Sequence, residues 1–240
     1  MSTYRAPLRD MQFVLRELAG IDEIAKLPGC ADAADVLDAI LDEAATFAAE
    51  VLDPLNQSGD REGCTWRHGA VTTPPGFKEA YRSFAQAGWI GLPVDPEYGG
   101  QGLPQILLGP TLEMWNASNV GFANGPLLNQ GAIEAIEQFG STEQKHRFIP
   151  KLVSGEWTGT MCLTEPQAGS DLAQVRTQAV PEGDHYRISG QKIFITFGEH
   201  DMAPNIIHLV LARLPGAPEG TKGISMFIVP KVLVNADGTL

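Results

Sequence analysis

The chain has 240 residues, enough for one large domain or two modest ones, and it is 43% hydrophobic and 19% charged, an ordinary globular composition. Its formal charge of −12 argues against an extended surface for nucleic acid or anionic lipid. Cys30, Cys64 and Cys162 are odd in number and widely spaced, which excludes a disulfide framework and a cysteine-based zinc site and points to a reducing compartment.

The first residues, Met1 to Pro7, contain no apolar signal core, and no run reaches the ~18 apolar residues of a membrane span, so a cytoplasmic protein is expected. Residues 1–31 read as an N-terminal extension. From 32 to 155 the periodicity is helical. Val36, Leu37, Ile40, Leu41, Ala44, Phe47, Ala48, Val51 and Leu52 recur at three- and four-residue spacing, a stripe that Pro54 is expected to close. A second helix is predicted from Pro75 to Ala87, burying Phe77, Tyr81 and Phe84 and stopped by Gly88.

The stretch from Gly91 to Gly102 is too rich in Gly and Pro for a regular element. Further helices are predicted over Gln105–Ser118 and Pro126–Phe139. Ser141 and Gln144 then stand at capping-box spacing and open a helix toward Leu152, with Pro150 disturbing its last turn.

Residues 156–240 change to strand texture. The segments Trp157–Leu163, Arg176–Val180, His185–Ile188, Gln191–Thr196, Ile206–Arg213 and Gly223–Val229 are β-rich, with Glu182-Gly183-Asp184 and Ser189-Gly190 as hairpin corners. The order, an all-helical N-terminal domain followed by an antiparallel β middle domain, is α+β.

Two segments carry the chemistry. Met161-Cys162-Leu163-Thr164-Glu165-Pro166-Gln167-Ala168-Gly169-Ser170-Asp171 leaves a strand through a tight turn and offers backbone N–H groups and two hydroxyls, a concavity suited to an electron-rich ring edge. In Gln191-Lys192-Ile193-Phe194-Ile195-Thr196, a strand would place Phe194 and Thr196 on one face.

Together these segments resemble the acyl-CoA dehydrogenase family, in which both lie in a β-barrel-like middle domain and hold FAD. The resemblance implies flavin contacts at Met161, Leu163, Thr164, Gly169, Ser170, Phe194, Ile195 and Thr196, with Ser170 also touching substrate. Met161 stands in place of an aromatic and Phe194 in place of a tryptophan. Leu214 replaces a serine that bonds CoA in some members. The extension around Tyr4–Phe13 and the run Asn56–Cys64 resemble the larger bacterial branch that handles 3-methylthiopropanoyl-CoA.

The implied activity is α,β-dehydrogenation of an acyl-CoA thioester, of 3-methylthiopropanoyl or another short or medium chain, with hydride passing to flavin N5. The implied partners are the acyl-CoA and an electron-transfer flavoprotein, with assembly as a homodimer or homotetramer. The family base is a glutamate of a C-terminal helical bundle that this sequence is expected to lack, ending at Leu240 inside an incomplete middle domain. The catalytic base therefore stays unassigned. Glu165 and Asp171 flank the turn, but they read first as a solvated turn residue and as a cap. The histidines at 68, 146, 185, 200 and 208 lack metal-ligand spacing, and no metal site is expected. Alternatives are an acyl-CoA oxidase-type relative, a non-catalytic flavoprotein, or an inactive fragment.

Overall fold

The computed structural model describes residues 4–235 and 237–240. Residues 1–3, which begin the N-terminal extension, and residue 236 lie outside the described residues. The extension folds into α1 (Leu8–Phe13), a π-helical turn over Val14–Leu18, and the short α2 (Ile21–Ile24). Next, α3 (Ala33–Phe47) buries Ala33, Leu37, Leu41 and Ala44, the stripe expected from its spacing.

Pro54 does not close that helix. A π-helical turn over Ala48–Leu52 leads directly into α4 (Asp53–Glu62), and Pro54 falls in the first turn of α4. There its missing N–H is one the helix would leave unpaired anyway, so the rod continues.

The helical region is not all helix. Between α4 and α5 (Phe77–Gln86), the strands β1 (Thr65–Arg67) and β2 (Ala70–Thr72) form an antiparallel hairpin. His68 and Gly69, at φ +52° and +83°, make its corner, the conformation that matches strand twist. The two expected helices around Ser118 are one element, α6 (Leu108–Phe139), kinked at Asn119 with φ −158° and ψ 84°. The Asn119 side chain explains how both sides survive: its Oδ1 accepts from Phe122 N at 3.0 Å and caps the second half, while Nδ2 donates to the Leu52 carbonyl at 3.0 Å. One buried amide thus ties the kink of α6 to the π turn before α4.

Helix α7 (Thr142–Val153) opens with the expected reciprocal cap, Gln144 N to Ser141 Oγ at 3.2 Å and Ser141 N to Gln144 Oε1 at 2.9 Å, and it runs through Pro150.

The remaining strands are β3 (Trp157–Cys162), β4 (Gln178–Glu182), β5 (His185–Ser189), β6 (Asn205–Arg213) and β7 (Ile224–Pro230). The helical-then-sheet order matches expectation, but the pairing is mixed rather than antiparallel. Strand β3 runs parallel to β6, β4 touches the end of β6 in parallel, and only β4–β5 and β6–β7 are antiparallel. No closed barrel forms among the described residues.

Helix α6 lies directly on β3 at Gly159, where a methyl group would collide with the Ala132 side chain. Further ties hold the boundary of the two regions. Tyr81 Oη donates to the Gly155 carbonyl, and Thr73 N and Oγ1 both donate to Asp201 Oδ1, at 3.0 and 2.7 Å.

Candidate functional site

Strand β3 alternates, so Thr158, Thr160 and Cys162 turn to one face while Gly159 and Met161 turn to the other. On the first face, Thr160 Oγ1 lies 2.6 Å from His208 Nδ1, and Thr158 Oγ1 lies 2.9 Å from His200 Nε2. Met202 N donates to His200 Nδ1 at 3.1 Å, so His200 carries its proton on Nε2 and donates to Thr158. Burial lowers the His200 pKa to about 4 and pushes that of His208 down as well. Met161, on the opposite face, is 38% exposed.

Past Cys162 the chain folds back between Glu165 and Ala168, whose N–H and carbonyl groups exchange hydrogen bonds of 2.8 and 3.0 Å. The expectation of a solvated Glu165 is corrected here. Its carboxylate is 3% exposed and receives four hydrogen bonds: Lys192 Nζ (2.8 Å) and Thr177 N (3.0 Å) on Oε1, Arg176 N (2.8 Å) and Gln167 Nε2 (2.6 Å) on Oε2. Burial alone would raise its pKa. The Lys192 ammonium and the donors at Thr177 and Arg176 outweigh burial and hold it at about 2. Asp171 is the cap of the next turn, with Oδ1 accepting from Ala173 N at 3.0 Å.

A second correction concerns Gln191–Thr196. This segment is not a strand, and Ser189-Gly190 is not a hairpin corner. Phe194 adopts φ +57°, a left-handed conformation, and Phe197 adopts φ +52°. Strand alternation therefore does not put Phe194 and Thr196 on one face. Their proximity to the turn has another cause: Ile193 N donates to the Thr164 carbonyl at 2.9 Å, and Lys192 Nζ donates to the Leu163 carbonyl at 2.9 Å.

The structure thus joins the two motifs through Lys192, which the sequence reading had not singled out, and Glu165, which it had read as solvated. A lysine inside an apolar run was the available signal, because such a charge is buried only with a partner.

Around this junction Met161, Gly169, Ser170, Phe194 and Thr196 are exposed, Phe194 at 89%, while Leu163, Thr164 and Ile195 are half-buried. Among the described residues, the hydroxyls of Thr164, Ser170 and Thr196 and the N–H groups of Gly169 and Ser170 have no protein hydrogen-bond partner. The surface is open, apolar at Met161 and Phe194, and lined with spare donors. A separate groove of 390 Å³, beside Gly88, Glu97, Tyr98 and Val153, contains none of these residues. No helix is long and apolar enough among the described residues to cross a membrane.

Both regions of the chain match domains of known proteins. The acyl-CoA dehydrogenase N-terminal domain matches residues 35–156 and the acyl-CoA dehydrogenase middle domain residues 160–238. The chain is 46% identical over 238 residues to the 3-methylmercaptopropionyl-CoA dehydrogenase of Ruegeria pomeroyi, and 40% identical over 247 residues to a butyryl-CoA dehydrogenase of Syntrophomonas wolfei. In each case 98% of the chain is covered, but it spans only 40% of the relative's length.

Two solved structures superpose with a TM-score of 0.66. An acyl-CoA dehydrogenase of Bacillus anthracis complexed with FAD is 27% identical, with 82% of this chain and 31% of that one covered. A structure described as an electron transferring flavoprotein of Acidaminococcus fermentans is 30% identical, with 81% and 47% covered. With its two domain matches spanning residues 35–156 and 160–238, the chain belongs to the acyl-CoA dehydrogenase family.

Proposed function

We propose that the protein takes part in FAD-dependent α,β-dehydrogenation of an acyl-CoA thioester, and that the Thr164–Ser170 turn and the Phe194–Thr196 segment form its flavin surface. The observation that carries this reading is the junction itself. Two separate segments are hydrogen-bonded together, yet the hydroxyls of Thr164, Ser170 and Thr196 and two adjacent N–H groups find no protein partner among the described residues.

The residues suit the cofactor. Met161 and Phe194 offer apolar contact for a flat ring, and the donors of Gly169 and Ser170 suit its electron-rich edge. Leu163, Thr164, Ile195 and Thr196 complete the proposed contact set, with Ser170 also reaching substrate. Bound there, FAD supplies the acceptor for the β-hydride.

The chain's own part is to bind and orient the ring. It does not use Glu165 as the α-proton base, because four donors occupy that carboxylate and its pKa of about 2 makes it a poor proton acceptor. Asp171 is engaged in its cap.

A 3-methylthiopropanoyl or other short or medium acyl group is supported by the 3-methylmercaptopropionyl-CoA and butyryl-CoA relatives. An electron-transfer flavoprotein as acceptor is supported by the Acidaminococcus neighbour. A cytoplasmic homodimer or homotetramer completes the proposal.

The test is a titration of the purified protein with FAD, followed by absorbance in the flavin band and anaerobic addition of butyryl-CoA and 3-methylthiopropanoyl-CoA. Saturable, stoichiometric uptake is expected. Absence of uptake at high micromolar FAD would overturn the assignment of the turn.

A further inference from the structure

Glu165 and Lys192 form an ion pair at 2.8 Å, with side chains 3% and 11% exposed. As a stability device such a pair is a poor choice, because the cost of desolvating two charges offsets most of their attraction and an apolar pair of similar shape commonly does as well. What the pair supplies is geometry.

Glu165 gathers three stretches of chain: its own turn through Gln167, the approach to β4 through Arg176 and Thr177, and the 191–196 segment through Lys192. Lys192 in turn also holds the Leu163 carbonyl. The 191–196 segment has no strand partner to place it. Among the described residues its main-chain ties are Ile193 N to the Thr164 carbonyl and the local Gly198 N to Ile195 carbonyl bond. Its position relative to the turn therefore depends on two adjacent residues, Lys192 and Ile193.

We propose that the Glu165–Lys192 pair is a positioning clamp that holds Phe194, Ile195 and Thr196 against the Thr164 turn, so that both segments address one bound ring system. This rests on the flavin reading above. The clamp touches neither flavin nor substrate. It acts through the exposed residues on either side of it, and its two charges sum to zero, so it adds no net charge to the surface.

The decisive comparison uses the parent, Lys192→Met, and the double variant Glu165→Gln/Lys192→Met. Three readouts are needed: FAD titration, the urea midpoint, and hydrogen exchange over residues 191–196. Lys192→Met leaves a buried carboxylate short of a partner, so it lowers the midpoint. It is also expected to weaken FAD binding about 10- to 100-fold, the range seen when a partner that orients a metal ligand is removed.

The double variant removes both charges, but the amide nitrogen that replaces one carboxylate oxygen then faces a main-chain N–H, so its midpoint returns part of the way toward that of the parent. A clamp leaves FAD binding weak and exchange at 191–196 fast even in this partly restored protein. If FAD affinity recovers together with the midpoint, the pair is a stability element only and the proposal fails. Unchanged exchange at 191–196 in Lys192→Met also overturns it. A parent that takes up no FAD overturns the flavin reading instead, while faster exchange in Lys192→Met would still show the pair holding the segment.

Discussion

The helical and sheet regions are held by different means. In the helical region Phe47, Phe84, Trp89, Trp115 and Phe122 meet edge to face with ring centroids 5.1–5.8 Å apart, an apolar cluster with buried amide locks at Asn119 and Asn129. In the sheet region the fixed points are polar: Thr158 with His200, Thr160 with His208, Glu165 with Lys192, and Arg213 donating to the carbonyls of Ala173, Val175 and Pro218. Apolar packing rewards any arrangement that fills the space. Directional bonds reward only one, and the irregular backbone beside the candidate site is where they concentrate.

Substitutions can break this contrast. The largest effect is expected at Trp115, fully enclosed in the aromatic cluster. Trp115→Ala should cost about 3–5 kcal/mol in urea unfolding, with the same loss at pH 7.5 and pH 5. A loss that varies with pH would show that titrating groups, and not uncharged packing, hold the aromatic cluster.

The sheet region should instead be acid-sensitive. His200 has a folded pKa of about 4, lowered first by burial, so its contribution is complete above the unfolded value near 6.5 and declines as pH falls toward 4, by about 3 kcal/mol. Glu165, held at about 2, adds a further loss as pH falls below its unfolded value of 4.5. His200→Gln keeps a donor for Thr158 and should flatten the dependence between pH 6.5 and 4. An unchanged slope would remove His200 from the account.

Asn119→Ala tests one polar lock of the helical region. Two bonds are lost and the Leu52 carbonyl loses its partner, so about 1–3 kcal/mol is expected by urea titration. Ser141→Ala removes an exposed reciprocal cap and should cost about 1 kcal/mol, the smallest effect, seen as a modest shift in thermal midpoint.

Where local chemistry decided the outcome, the sequence was legible. The α3 stripe, α5 between Gly76 and Gly88, the Ser141 cap and the order of helices before strands all followed from spacing and turn residues. Distant partners decided the rest. Pro54 sits inside a continuous rod because a π turn precedes it, and Asn119 allows one kinked helix where two were expected.

At the candidate site, the eleven-residue turn was legible as a motif, but the environment of its glutamate was not. Nothing local to Glu165 signals that Lys192, Arg176 and Thr177 converge on it. The β-rich run from Gln191 to Thr196 reads as a strand, yet its neighbours offer it no ladder, and a left-handed Phe194 is the result.

The parallel alignment of β3 and β6 has an architectural consequence. Two strands running the same way cannot be joined by a tight corner; the chain must leave the far end of one and travel back to the near end of the other. Residues 163–204 make that journey, and every candidate residue but Met161 lies along it. The site is therefore built into the return path of the sheet rather than attached to it as an ornament. Its letters can change freely wherever the geometry of the route survives, but the route cannot be deleted, because without it β3 and β6 would have no way to lie side by side.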